Sequence, residues 1–173
     1  MPQIGRPETG EYAPYFDRYL SLIEGDDPLP PLAAQRAGFQ ALAGLSEERA
    51  GHRYAEGKWT VREVVGHVLD TERVFGYRAL RVARGDQAPL SGFDENSFAQ
   101  QASHDACALA ELVEELVLVR RGHLLFFRHL PTDTWRRRGV ANGNPVSTRA
   151  LAFMMAGHAA HHLVLLRDRY GIA

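Results

Sequence analysis

Apolar residues recur at spacings of three and four along almost the whole chain, and no stretch sustains the alternation of a half-buried strand. The periodicity predicts a first helix from about Glu11 to Ile23, ending in "EGDDPLPP", where a glycine and three prolines prevent continuation. A second helix is expected from about Leu32 to Leu45. The clearest helical pattern is "KWTVREVVGHVLDTERVFGYRALRVARGD", which opens on Thr60 with Glu63 three residues on, a capping-box pair, and stops at Gly85. A fourth helix runs from about Ala106 to Leu130 before Pro131. The last runs from about Thr148 to Tyr170, with Ser147 as its cap and Gly171 after it. Between Asp86 and Asp105 the pattern shows no convincing element, and a connection that long is either functional or crosses from one end of a bundle to the other. Four long amphipathic helices with one long crossover connection describe an all-α four-helix bundle, and 173 residues suit a single domain over 1–173.

Composition changes little in this picture but excludes several classes. The apolar share of 45% and charged share of 24% are those of an ordinary globular protein. A net charge of -1 provides no field to recruit nucleic acid or an acidic membrane. Cys107 is alone, so no internal disulfide framework exists, and a reducing cytoplasmic setting is expected. The start, "MPQIGRPETGEYAPYF", lacks the basic and apolar regions of a secretory signal. No formally charged residue lies between Arg149 and Arg167, yet that segment carries histidines and falls short of the roughly 20 apolar residues of a spanning helix. It reads as a buried helix.

That helix raises the chemical question, because "GHAAHHLVLL" places three histidines on it. At about 100° per residue, His158 and His162 share the middle of the apolar stripe and His161 falls on its margin. Imidazoles four residues apart converge on one ion, the geometry of helix-borne metal sites. On the helix after Thr60, His67 also faces inward and is the natural third ligand. Three protein nitrogens leave a position for water or substrate, as in a catalytic site, and suit zinc, nickel or iron. Glu63 and Asp70 lie one turn from His67, where a carboxylate can orient an imidazole. Their alternatives are the capping box for Glu63 and a charge partnership with Arg73 or Arg78 for Asp70.

The segments "YAEGKWTVREVVGHVLDTERVFGYRALRVARGD", "PLSGFDENSF" and "GHAAHH" resemble the DinB/YfiT-like superfamily of metal-binding four-helix proteins, from about Leu20 to Tyr170. The resemblance rests on Trp59 opening its helix, Gly-His-x-x-Asp-x-Glu at Gly66 to Glu72, the Gly-Phe-Asp-Glu-Asn loop and the terminal Gly-His-x-x-His-His. It implies one divalent metal ion per chain on His67, His158 and His162, and a homodimer. Many relatives carry Glu where this chain has Ala159, so any help from that carboxylate is absent. The implied activities are hydrolysis through a metal-activated water, or S-transfer from a low-molecular-weight thiol onto an electrophilic small molecule. A link to stress induction describes expression rather than DNA binding. The alternatives are a non-catalytic metal-containing ligand-binding protein and an interaction protein with a relict site.

The remaining chemistry-bearing residues carry plainer expectations. Of Arg120 and Arg121, near the middle of their helix, one points inward. His104, His123 and His129 have no ligand-like spacing, Trp59 and Phe93 are core and loop anchors, and Cys107 has no base to activate it. The Asp86–Asp105 connection either lids the pocket or meets a second chain.

Overall fold

A computed structural model describes residues 4–172. Seven α-helices occur among them: α1 (Asp17–Leu20), α2 (Leu29–Ala41), α3 (Glu47–Ala50), α4 (Val61–Ala83), α5 (Glu95–Ala102), α6 (Leu109–Arg128) and α7 (Thr148–Tyr170). Two short strands, β1 (Arg138–Ala141) and β2 (Asn144–Ser147), form an antiparallel hairpin.

The long helices α2, α4, α6 and α7 form the bundle, with α4 packed on α6 and α7, and α2 closing the other side against the same two. Cross-helix contacts fix the directions. Thr60 Oγ1 and Arg62 Nε, at the start of α4, bond to Asp105 and to the Cys107 carbonyl just before α6, and Glu72 meets Arg120 further along. These two helices therefore run parallel. His67 faces His158 while Tyr170 Oη donates to the Trp59 carbonyl, so α7 runs antiparallel to α4. Consecutive parallel helices need a return path along a helix about 34 Å long, which is why the connection between them is long.

Caps at α4 and α7 are as the sequence predicts. Thr60 Oγ1 accepts from Glu63 N–H at 3.1 Å while Glu63 Oε2 accepts from Thr60 N–H at 2.7 Å. Ser147 Oγ accepts from Ala150 N–H, and Gly171 ends α7 in the left-handed region.

Four sequence expectations are corrected. The helix expected over Glu11–Ile23 is a 3-10 turn at Pro14–Phe16 followed by α1 alone; Pro14 opens the turn because it has no N–H to donate, and Glu11 is instead buried against Ser147 and Arg149. The second helix begins at Leu29, with Pro30 and Pro31 in the first turn, where missing N–H groups go unneeded. The Asp86–Asp105 connection holds α5, capped by Asp94 Oδ1 accepting from Ser97 N–H at 2.7 Å. Finally, the stretch before α7 contains the hairpin, turned at Asn142-Gly143 with both residues at positive φ, the backbone a two-residue turn of this hand requires.

The first half of α7 is buried all round, rather than on one stripe, because the N-terminal segment and α1 cover the side that would otherwise face water. Gly157 permits this closeness: a Cβ there would collide with the Tyr19 backbone.

Candidate metal centre

The periodicity of α4 and α7 brings His67, His158 and His162 together between the two helices. All three are buried, at 5–6% exposure. Their Nε2 atoms face one another, with His67 to His158 at 2.9 Å and His162 to His158 at 3.1 Å. An imidazole nitrogen is either donor or acceptor, so at most one of the two contacts at His158 Nε2 is a good hydrogen bond. Three converging lone pairs are instead the arrangement a cation satisfies at once. Two nitrogens around a tetrahedral zinc lie about 3.4 Å apart, close to these separations. The donor set therefore fits a divalent cation, with all protein ligands neutral nitrogens.

Protonation agrees with that reading. Burial pushes the His67 imidazole down to about 4, and burial with the neighbouring histidines drives His158 and His162 well below the usual value. His162 Nδ1 is buried with no partner among the described residues, leaving its outer nitrogen unengaged. His161 lies outside the trio, half-buried, with its ring 5.0 Å from that of His162.

Neither carboxylate flanking His67 has a hydrogen bond to it. Glu63 is held by the cap and by Arg53 at 2.8 Å. Asp70 pairs with Arg73 at 3.3 Å and with His104 Nε2 at 3.2 Å, so of its two expected partners Arg73 is found and Arg78 is not. The His104 ring lies over Gly66, where any Cβ would strike it. Of the other residues singled out, Arg120 points inward and Arg121 is exposed. The Trp59 ring lies 4.8 Å from that of His67, and Cys107 is half-buried with no hydrogen bond to its thiol among the described residues.

His158 lines a cleft of about 300 Å³ that periodicity alone does not reveal. Tyr12, Phe16 and Tyr19 of the N-terminal segment form one wall, and Thr71, Phe75 and Arg78 of α4 form another. The hairpin turn and Phe93 of the crossover complete it, so the Gly-Phe-Asp-Glu-Asn loop belongs to the cleft wall. The Tyr19 ring stands edge-on to His158, and its phenol, pushed up to about 12 by burial and by Tyr15, stays protonated. Thr71 Oγ1 is buried with no partner among the described residues. Helical spacing puts Thr71 and Arg78 on the same face of α4 as His67, which is the signal in the sequence that could have found them.

The fold and the site thus define a helical-bundle protein with an inward-facing three-imidazole centre opening on a largely apolar cleft. Residues 32–166 match the family model of the DinB superfamily, and the chain belongs to that family. It is 30% identical over 141 residues to a Geobacillus kaustophilus protein named as a candidate metal-dependent hydrolase, covering 76% of each chain. A similarly named Oceanobacillus iheyensis protein is 25% identical over 134 residues, covering 74% of each. In three dimensions the chain is similar to YfiT from Bacillus subtilis, described as a candidate metal-dependent hydrolase with an unusual four-helix bundle topology. That likeness has a TM-score of 0.70 at 18% identity, covers 97% of this chain and 94% of that one, and bears on the fold. No helix among the described residues is long and apolar enough to cross a membrane.

Proposed function

We propose that this protein is a metal-dependent hydrolase acting on a small molecule in the cleft beside His158, with His67, His158 and His162 as the ligands of one divalent ion, zinc, nickel or iron. The observation that carries the reading is the meeting of three neutral imidazole nitrogens, one of them on His158, which lines that cleft. The names of the curated relatives support it. The ion supplies Lewis acidity, lowering the pKa of a water or thiol that reaches it. The protein's part is to keep three imidazoles unprotonated, exclude bulk water with the tyrosine wall, and present the Thr71 hydroxyl to the reacting group.

A second reading, S-transfer from a low-molecular-weight thiol, is favoured by one observation. Glu63 and Asp70, the carboxylates one turn from His67, are engaged elsewhere and are not free to serve as a general base. A coordinated thiol is deprotonated outright and needs none.

The test is metal content by mass spectrometry on tag-free full-length chain purified without added metal, beside His67→Ala and His162→Ala. About one ion per chain, lost in both variants, is expected; none in the wild type and none taken up on titration overturns the proposal. Turnover of ester, amide and lactone probes without thiol then supports hydrolysis. Consumption of monobromobimane that depends on both added cysteine and the ion supports transfer.

A further inference from the structure

Arg78 is a charged side chain whose position the bundle does not explain. It is 6% exposed, faces the cleft, and forms no salt bridge among the described residues. Its Nη2 donates to the Ser91 carbonyl at 2.7 Å, which steadies the guanidinium and leaves Nε and Nη1 without a protein acceptor among the described residues. Its carbon lies 5.8 Å from the centre of the Phe93 ring. Burial lowers its pKa. Glu95 lines the same cleft but is exposed at its rim. The other deeply buried arginines at the heart of the fold behave differently: Arg120 is paired with Glu72 and Arg149 with Glu11. A buried guanidinium without its counter-ion is costly unless something supplies the negative charge.

Helix geometry sets where that charge would sit. Arg78 lies two turns, about 10 Å, beyond Thr71 and three turns, about 16 Å, beyond His67 on the same face of α4. Phe16 and Phe75, in contact edge to face, line the space between.

Building on the proposed function, we infer that Arg78 anchors a carboxylate at the far end of the substrate, the molecule being an apolar or aromatic body with its reacting group at the histidine end. One guanidinium neutralises one carboxylate through paired N–H donors. A phosphate monoester, at about -1.5 to -2, would keep uncompensated charge in an apolar cleft.

Binding to the full-length protein as purified tests this without needing turnover, so failure of the hydrolase reading would not hide the answer. Isothermal titration calorimetry would compare 4-phenylbutyrate, 4-phenylbutanol and 4-phenylbutyl phosphate on wild type, Arg78→Gln and His162→Ala. The acid is expected to bind wild type at least 10-fold tighter than the alcohol, an advantage kept in His162→Ala and lost in Arg78→Gln, where alcohol affinity stays within about 2-fold. Equal affinity of acid and alcohol for the wild type would overturn the inference without recourse to any variant. So would an advantage that survives Arg78→Gln or disappears in His162→Ala, which would place the carboxylate at the histidines. Tighter binding of the phosphate would overturn the choice of carboxylate.

Discussion

The imidazoles of His67, His158 and His162 are held neutral by burial, and that couples folding to pH. A histidine whose pKa falls on folding contributes stability that is complete above its unfolded value near 6.5 and is lost as pH falls toward the folded value. For His67, with a folded value of about 4, the loss amounts to about 3 kcal/mol. The chelator-treated protein is therefore expected to lose stability steadily between pH 7 and 4.5 in urea titrations, and His67→Ala to lose less across that window. A flat profile from pH 7 to 5 would contradict the assignment. Glu11 and Glu72 act lower: burial raises each, but Arg149 and Ser147 outweigh it at Glu11, as Arg120 and His123 do at Glu72. Their contribution is present above the unfolded value near 4.5 and is lost below it. Thr71 gives a prediction of another kind. Because its hydroxyl has no protein partner, Thr71→Val should leave the melting temperature unchanged or raise it, while kcat/KM falls several-fold if that hydroxyl meets substrate. Equal losses in both would make Thr71 a packing residue.

At the scale of elements, two glycines explain motif positions that chemistry alone does not. Gly66 and Gly157 each precede a site histidine, and each admits a neighbour: the His104 ring at Gly66, the Tyr19 backbone at Gly157. The obstacle at Gly157 is backbone, which cannot rotate aside. Gly157→Ala is expected to cost about 1–3 kcal/mol, a fall in melting temperature of roughly 4–10 °C by calorimetry, and to loosen the tyrosine wall. At the start of α4, Thr60→Ala should cost about 1 kcal/mol by removing the cap six residues before Gly66.

The whole molecule is pinned by a polar network through the middle of the bundle. Arg120 on α6 meets Glu72 on α4 and donates to the Leu32 carbonyl and Gln35 Oε1 on α2; Gln35 Nε2 donates to the Ala156 carbonyl on α7, at 2.8 Å. All four long helices are thus registered at one level, close to His158. Glu72→Gln would leave the Arg120 charge uncompensated and is expected to cost about 3–5 kcal/mol in denaturant titrations. Asp168→Asn, which breaks an exposed pair with Arg167, should change stability by less than about 0.5 kcal/mol.

How much of this was legible depended on whether the cause was local. The helices α4, α6 and α7, the Thr60 and Ser147 caps and the inward stripe of His67, His158 and His162 follow from spacing within one segment, and these parts were readable in order. The Asn142-Gly143 turn carried a local signal too, but four-residue strands are too short for alternation to announce them. What only the tertiary structure decided involves groups far apart in sequence. Burial of α7 all round comes from a segment over a hundred residues away, and the same segment supplies the tyrosine wall of the cleft. Asp70 went to His104 and Glu72 to Arg120, partnerships across 34 and 48 residues that no periodicity encodes. Arg78, which spacing offered as a charge partner of Asp70, instead donates to the Ser91 carbonyl of the crossover and lines the cleft. Periodicity tells a side chain to turn inward; the path of the rest of the chain determines what it finds there.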